Sequence, residues 1–247
     1  MIAPLRCVLG LDGCKRGWVG VRLDLEQVAP PAARFYPSFA EALTDSDAPA
    51  VVAVDMPIGF LDVAERGGRV CERLARQRLG PRRSSVFSAP TRAALAHADD
   101  YGAALATNRR GSEIGLSRQC FHLTPKLKEI DALMTPALQR RVHESHPELA
   151  FTVLNDGRPM RFKKKTRLGS VERIRVLERA GEAYGLDKEF LDPRAHALLR
   201  GGGVARDDLV DAAVVALAAA RIEHGRALSL PPNAPRDSKR LKMQIVV

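Results

Sequence analysis

The segment at residues 51–59, VVAVDMPIG, constrains the fold more than any other part of this sequence. Its first four residues form a continuous and largely β-branched run, which is typical of a strand buried on both faces of a sheet. Asp55 and the Met-Pro pair after it end the strand. The segment therefore predicts a buried strand followed at once by an acidic residue.

The residues before this strand predict three shorter strands and a helix. Apolar runs at about 7–12, 17–23 and 32–36 are separated by turn residues, and the first two flank an Asp-Gly pair that is a common hairpin signal. A brief helix is predicted over 39–43. Three strands, a helix and a buried strand indicate an α/β chain in α+β order with a mixed sheet.

The remaining pattern is mainly helical. Residues from about 62 to 141 predict a helical insertion, interrupted by basic loops at 79–92 and 107–115, within a single domain spanning residues 1–247. VHESHPELAF at 142–151 predicts a further strand. Helices are predicted at 169–184 and at 205–225, the second ended by a glycine, and the terminal KMQIVV predicts an edge strand.

Composition excludes several classes of protein. Hydrophobic residues make up 45% of the 247 residues, which is enough for a substantial core, and no apolar stretch is long enough to cross a bilayer. No signal peptide is recognisable, so we expect a cytoplasmic protein without a membrane partner. The four cysteines are scattered without a CxxC pair, which argues against a zinc or disulfide framework.

The charge balance favours an anionic partner. The formal net charge is +10, and basic clusters bind nucleic acid through its phosphates. Solvated basic faces explain the same charge equally well. Trp18, the only tryptophan in a chain with 5% aromatic residues, is expected in the core rather than as a platform for base stacking.

Two acids end predicted strands. Asp12 closes the first strand and Asp55 closes the fourth, and ligands bind at the carboxyl ends of strands in open α/β sheets. The two carboxylates converge if their strands are neighbours. For Asp12, turn chemistry is the alternative explanation.

A third group of acids begins the helix predicted at 205–225. Capping and the helix dipole account for Asp207 and Asp208 without any function. Asp211 lies one turn further on, on the same face, in a helix whose other faces are apolar. A buried carboxylate there needs a partner, either an arginine or lysine or a metal ion.

Clustered carboxylates suit Mg²⁺ or Mn²⁺, which prefer oxygen ligands. Two such ions roughly 4 Å apart activate water and stabilise the leaving oxygen in phosphodiester hydrolysis. On a strand, HESHPE would place Glu144, His146 and Glu148 on one face, with Glu148 as a further ligand and His146 as a proton shuttle or orienting group. A polar solvent face marked by Pro147 is the alternative.

Two basic loops offer contacts to phosphate. One carries Arg82, Arg83, Ser84 and Ser85, and the other carries Lys163, Lys164, Lys165 and Thr166. Guanidinium, ammonium and hydroxyl groups all bind phosphate oxygens. Most runs of charged residues are nevertheless simply solvated, and a solvated surface without substrate contact is the alternative for either loop.

The motifs GLDGCKRGW, VDMPIGF, RRSSVF, HPELAF, KKKT and DDLVDA occur in this order along the chain. In order and spacing they resemble the domain-of-unknown-function 429 family, proposed nucleases of the ribonuclease H-like fold, over nearly the whole sequence. The resemblance implies a central five-stranded mixed sheet flanked by helices, with Asp12 on the first strand and Asp55 on the fourth. The DDLVDA helix would pack beside them.

DDLVDA is also similar to the final helix of RuvC-like Holliday-junction resolvases of the same superfamily. By position, this similarity implies Asp12, Asp55, Asp208 and Asp211 as metal ligands. The chain departs from that pattern, because Asp55 stands where the resolvases have glutamate and HESHPE belongs to neither prototype. Because the Asp55 side chain is shorter than glutamate, the case for a second metal site is weaker, and Glu148 is the candidate replacement ligand.

These observations favour a metal-dependent nuclease, a hydrolase acting on phosphodiester bonds of DNA or RNA. Asp12, Asp55, Asp208 and Asp211 would hold Mg²⁺ or Mn²⁺ for in-line attack by an activated water. A non-catalytic nucleic-acid-binding scaffold is the main alternative. An ATP-dependent phosphotransferase or ATPase of the same superfold is disfavoured, because the hairpin lacks the usual Ser or Thr soon after its glycine. The oligomeric state stays open, a dimer included.

Overall fold

The computed structural model describes residues 6–199 and 201–247. Its strands, numbered in chain order, are β1 (Cys7–Cys14), β2 (Gly17–Asp24), β3 (Ala32–Tyr36), β4 (Val51–Val54), β5 (Val142–Glu144), β6 (Ser229–Leu230) and β7 (Ile245–Val246). Its α-helices are α1 (Phe39–Leu43), α2 (Val70–Leu79), α3 (Tyr101–Asn108), α4 (Arg118–Phe121), α5 (Thr124–Leu133), α6 (Pro147–Leu154), α7 (Arg167–Gly181) and α8 (Arg206–Glu223). Short 3₁₀ helices occupy Gly80–Ser85, Arg92–His97, Leu138–Arg140, Glu182–Tyr184, Pro193–Ala195 and Ala197–Leu199.

Five strands form a mixed sheet in the order β3-β2-β1-β4-β5. β1 pairs antiparallel with β2, and β2 with β3, whereas β1 pairs parallel with β4, and β4 with β5. The predicted mixed α/β architecture is therefore confirmed. The predicted Asp-Gly turn is wrong, because Asp12 and Gly13 lie within β1 and the turn falls at residues 15–16. Asp12 pairs with Val19 and Gly13 with Trp18, and the hairpin continues to the Cys14–Gly17 pair.

Helix α8 packs against β1, β2 and β4. Residues 209–220 of this helix are buried without a break, so every face of its middle turns is covered. Gly10 of β1 allows the backbone of α8 to lie directly against the strand. A Cβ atom at this position would lie 2.1 Å from the Ala216 nitrogen and 2.4 Å from the Ala212 oxygen. Side chains alternate along a strand, so Asp12 lies on the same face as Gly10 and is directed toward α8.

The opposite face of the sheet carries Trp18. This residue pairs with Gly13 across the hairpin and is fully buried, with its ring 5.3 Å from the ring of Phe39 in α1. Because helices thus cover both faces, β1 and β4 contain almost only apolar residues. The expectation that Trp18 belongs to the core is confirmed.

The chain divides into two compact units. The first contains residues up to 56, 141–228 and 246–247, and the second contains 57–140 and 229–245. The segment expected as a helical insertion thus belongs to the second unit together with a later stretch of chain. Within that unit, Arg92 forms ion pairs with Asp131, at 3.1 Å, and with Asp237.

Two predicted elements take a different form. The terminal strand does not extend the central sheet, because β7 pairs with β6 in a separate two-stranded sheet. The loop predicted at 79–92 contains the 3₁₀ helix Gly80–Ser85, in which Pro81 occupies one of the first two positions. Proline is suited to the start of a helix because it has no N–H to leave unbonded.

Across the described residues, none of the helices combines the length and the apolar character needed to traverse a bilayer. All four cysteines are buried and carry free thiols.

Candidate metal centre

Three acids from distant parts of the chain meet at one edge of the sheet. Asp12 lies on β1, Asp55 directly follows β4, and Asp211 lies near the start of α8. One carboxylate oxygen of each lies within 4.8 Å of the others. β1 and β4 are parallel neighbours, and the Asp55 N–H donates to the Leu11 carbonyl at 2.9 Å, which fixes the two strand ends side by side. The structure thus brings together three of the four acids predicted as ligands.

The cluster is largely buried but retains some exposure to solvent. Asp12 and Asp211 are buried, whereas Asp55 is partly exposed. The Asp12 Oδ1 atom also accepts the N–H of Gly13 at 2.8 Å. Asp12 therefore also serves the local backbone.

The crowding of three carboxylates changes their protonation. Burial, followed by the charges of Asp55 and Asp211, raises the pKa of Asp12 well above its usual value. Burial and the Asp211 charge raise the pKa of Asp55 to about 8. For Asp211, burial outweighs the opposing lysine charge nearby, and its pKa rises to about 6. A cluster whose members resist ionisation is one that a bound cation would stabilise.

Lys164 provides a positive charge at this cluster. Its Nζ atom donates to the Asp211 Oδ2 atom at 2.7 Å and lies 4.0 Å from an Asp207 carboxylate oxygen. Burial works against the charged ammonium, but Asp211 outweighs it and raises the pKa of Lys164 above its ordinary value. The prediction that a buried Asp211 needs a partner is confirmed, and in this structure the partner is a lysine.

The backbone that carries Lys164 is held firmly. The Glu172 carboxylate accepts the N–H groups of Arg161 and Phe162 at 2.8 and 3.1 Å. The Arg173 Nη1 atom donates to the carbonyls of Phe162 and Gly169 at 3.1 and 2.9 Å. Helix α7 thereby holds the start of the segment that carries Lys164.

Thr166 has a structural role in that segment. Its hydroxyl caps α7 by accepting the Gly169 N–H at 3.1 Å, and it donates to the Lys163 carbonyl at 2.8 Å. These bonds account for Thr166 without a ligand, whereas Lys165 is exposed. Contact of Lys165 or Thr166 with a substrate stays a prediction.

The strand predicted over HESHPE is wrong. β5 ends at Glu144, and Pro147 begins helix α6, so Glu144, His146 and Glu148 do not share a strand face. Pro147 is compatible with the helix, because its fixed φ and missing N–H suit the first turn. His146 is the N-cap residue of α6.

Glu148 is directed to an arginine. Its Oε1 atom accepts a hydrogen bond from the Arg173 Nε atom at 3.2 Å and another from Nη2, and both residues are buried. Glu148 is therefore half of a buried ion pair in this structure. Its charge also contributes to the raised pKa values of Asp55 and Asp211, and its role as a further ligand stays a prediction. Glu144 was not assigned to the site from the sequence, yet its charge contributes to the raised pKa of Asp55.

Asp208 acts as a helix cap. Its Oδ2 atom accepts the Ala205 N–H at 2.9 Å, which is the capping role that the sequence left open. Its charge contributes to the raised pKa of Asp12, but the group of converging ligand atoms contains Asp12, Asp55 and Asp211 alone among the described residues.

The other predicted phosphate-binding residues belong to the second unit. Arg82, Arg83, Ser84 and Ser85 lie in the 3₁₀ helix Gly80–Ser85, where the Ser85 hydroxyl donates to the Arg82 carbonyl at 2.9 Å. Arg83 and Ser84 are exposed. Their contact with a substrate stays a prediction.

A cleft opens beside the cluster. It has a volume of about 380 Å³, and Asp211 forms part of its wall. Other residues that line it are Lys164, Lys165, Ser170, Arg206 and Asp207. The cleft therefore joins a carboxylate site to a surface with several cationic side chains.

The raised pKa values predict how the metal-free protein responds to pH. With the pKa of Asp55 at about 8 and that of Asp211 at about 6, the folded chain retains protons that the unfolded chain releases near pH 4. The free energy of unfolding should therefore fall as the pH rises from about 5 to about 8. Thermal melts in EDTA should show this fall, and Asp55→Asn should reduce it.

The exposed Asp156 supplies the control. Asp156→Asn should leave the pH dependence of the melting temperature as in the wild type. Parallel curves for the wild type and Asp55→Asn would contradict the expected charge crowding.

Comparison with known proteins gives one match. A family model described as "Protein of unknown function (DUF429)" matches residues 10–236, a range that includes all three acids of the cluster. The searches of curated proteins and of solved structures found nothing similar.

Proposed function

The chain belongs to the DUF429 family, and from its carboxylate cluster we propose that it is a divalent-metal-dependent nuclease. One observation carries this proposal. Asp12, Asp55 and Asp211 place three carboxylate oxygens within 4.8 Å of one another at the carboxyl edge of a sheet. In α/β sheets this edge is the usual place for a ligand.

The residues fit a hard divalent cation. Oxygens on opposite sides of one Mg²⁺ are about 4.2 Å apart at ordinary bond lengths, which is close to the 4.8 Å limit of the cluster. The donor set contains only carboxylate oxygens, the ligands that Mg²⁺ and Mn²⁺ prefer. The partly exposed Asp55 gives an ion a path from solvent.

The topology supports a ribonuclease H-like fold. Its features are the strand order β3-β2-β1-β4-β5, acids on β1 and after β4, and a further acid on the helix that covers them. This is the arrangement that the resemblance in sequence implies. Fold alone does not fix an activity, so the argument for hydrolysis rests on the cluster.

Each part of the site has a chemical task in this proposal. Asp12, Asp55 and Asp211 would hold the ion, which when bound supplies a Lewis acid for attack of water on phosphorus. Lys165 and Arg206, in the wall of the adjoining cleft, would bind phosphate oxygens. The net charge of +10 favours approach of a polyanion such as DNA or RNA.

Cleavage of a panel of labelled nucleic acids tests the proposal. Single-stranded DNA, double-stranded DNA, RNA, an RNA–DNA hybrid and a four-way junction should be incubated with the full chain in Mg²⁺, in Mn²⁺ and in EDTA. We expect cleavage of at least one substrate with either ion and none in EDTA. Asp12→Asn and Asp211→Asn should abolish it while retaining the fold.

Two outcomes would contradict the nuclease assignment. Equal cleavage by the wild type and both variants would place the activity elsewhere or in a contaminant. Salt-sensitive binding without cleavage would instead favour the nucleic-acid-binding scaffold, for which the Lys164–Asp211 ion pair already supplies a structural role for one acid.

A further inference from the structure

Lys164 occupies the position of a counter-ion to the cluster. Its ammonium group contacts Asp211 directly, at 2.7 Å. Its charge also acts on Asp12 and Asp55, whose pKa values it lowers against the effects of burial and neighbouring carboxylates. One lysine thus offsets part of the charge of all three acids.

A divalent ion and this ammonium group would compete. Both are cations that draw on the Asp211 carboxylate, and two cations a few ångströms apart in a buried site repel each other strongly. An ion held by Asp12, Asp55 and Asp211 would therefore destabilise the contact between the Lys164 ammonium group and Asp211. The free-energy cost of displacing the lysine should in turn weaken the apparent affinity of the site for the ion.

The Lys164 side chain borders an open cleft. Lys164 is 40% exposed at its side chain, and it lines the cleft that also contains Lys165 and Arg206. The backbone before it is held to helix α7, because Glu172 and Arg173 form hydrogen bonds with Arg161 and Phe162. A rotation of the side chain alone would carry the ammonium group from the carboxylates into the cleft.

We propose that Lys164 is an exchange cation, which neutralises the cluster in the metal-free protein and moves into the adjoining cleft when a divalent ion binds. This role rests on the proposed metal site. It deepens the proposed function, because occupancy of the metal site would add a positive charge to the surface that faces an anionic substrate.

Calorimetric titration of the full chain with Mn²⁺ tests the competition. Lys164→Met keeps the aliphatic stem and removes the charge, and it should bind Mn²⁺ about tenfold more tightly, the factor expected for loss of one competing charge-assisted hydrogen bond. Lys188→Met, which removes the charge of an exposed lysine of the same unit, should bind with the affinity of the wild type. Melting curves in EDTA establish that both variants are folded.

Amine labelling tests the movement. The wild type should be treated briefly with an acetylating reagent, with and without Mn²⁺, and the acetylation of each lysine measured by tandem mass spectrometry. Lys164 should react several-fold faster with Mn²⁺ present, since its ammonium group leaves a carboxylate partner. The exposed Lys188, which does not line the cleft, should react at the same rate in both conditions and serves as the internal control.

The results separate this proposal from the nuclease proposal. Equal Mn²⁺ affinity of the wild type and Lys164→Met, or weaker binding by the variant, would overturn the exchange role and leave the metal site intact. Unchanged labelling of Lys164 with Mn²⁺ bound would also overturn it. Absence of Mn²⁺ binding by the wild type and by Lys164→Met would overturn both proposals.

Discussion

Asp55→Asn should reduce metal-dependent cleavage about 1000-fold or more, because it removes an ionised ligand from a site expected to supply several kcal/mol of transition-state stabilisation. The same change should weaken Mn²⁺ binding. It should raise the melting temperature of the metal-free protein at neutral pH, since a carboxyl group with a pKa of about 8 must take up a proton on folding at that pH, whereas asparagine does not. Cleavage rates, calorimetry and thermal melts of the same preparation measure the three effects.

Asp156→Asn and Asp208→Asn serve as comparisons for the cleavage rate of Asp55→Asn. Asp156→Asn removes an exposed acid of the same unit and should cleave as the wild type does. Asp208→Asn distinguishes the ligand set implied by the sequence from the set in the structure. The side-chain oxygen of an asparagine can still accept the Ala205 N–H, so the cleavage rate of Asp208→Asn should stay close to that of the wild type. A loss at Asp208 as large as that at Asp55 would return Asp208 to the ligand set.

Gly10→Ala should destabilise the protein by about 3 kcal/mol or more, at the upper end of the cost of overpacking a core. The added Cβ would lie 2.1 Å from the Ala216 nitrogen, and this contact is with helix backbone that cannot rotate away. Helix α8 would have to move off the sheet, carrying Asp211 with it. Denaturant unfolding should show the loss of stability, and Mn²⁺ affinity should fall as well.

Gly115→Ala is a suitable control for Gly10→Ala. A Cβ at Gly115 would meet only a leucine side-chain atom, at the ordinary contact distance of 3.9 Å. We expect a change in unfolding free energy within about 0.5 kcal/mol. Unchanged stability of Gly10→Ala would mean that the close packing of α8 on β1 is not required for the fold.

Local patterns in the sequence predicted most of the central sheet. The continuous run Val51–Val54 and the apolar segments before it became strands, because burial on both faces requires apolar residues throughout. Helix α8 was equally visible, since its acidic start, its apolar body and Gly225 mark both of its ends. These elements are specified by neighbouring residues and need no knowledge of tertiary contacts.

HESHPE shows where such local reasoning fails. The alternation of polar residues at 144, 146 and 148 is also compatible with a strand end followed by a helix start. Pro147 suits both an edge strand and the first turn of a helix. The choice depends on the burial of Glu148 against Arg173, a contact across 25 residues that spacing does not reveal.

The candidate site was predictable in part for the same reason. Strand ends indicated that Asp12 and Asp55 converge if their strands are neighbours, and the family resemblance added Asp211, which the structure brings to the same place. The need for a partner at Asp211 was also evident from its burial. Its identity was not, since Lys164 is 47 residues away and stands in a run of three lysines that are alike in sequence.

The position of α8 in the chain has a consequence for synthesis. β1 presents Gly10 and Asp12 to a helix from which it is separated by most of the polypeptide. During translation, the sheet is complete while its apolar face still lacks this cover, and exposed apolar surface of that kind promotes aggregation and calls for chaperones. The third carboxylate arrives with the same helix. A ribosome therefore synthesises more than 200 residues before helix α8 (Arg206–Glu223) can complete the three-carboxylate cluster.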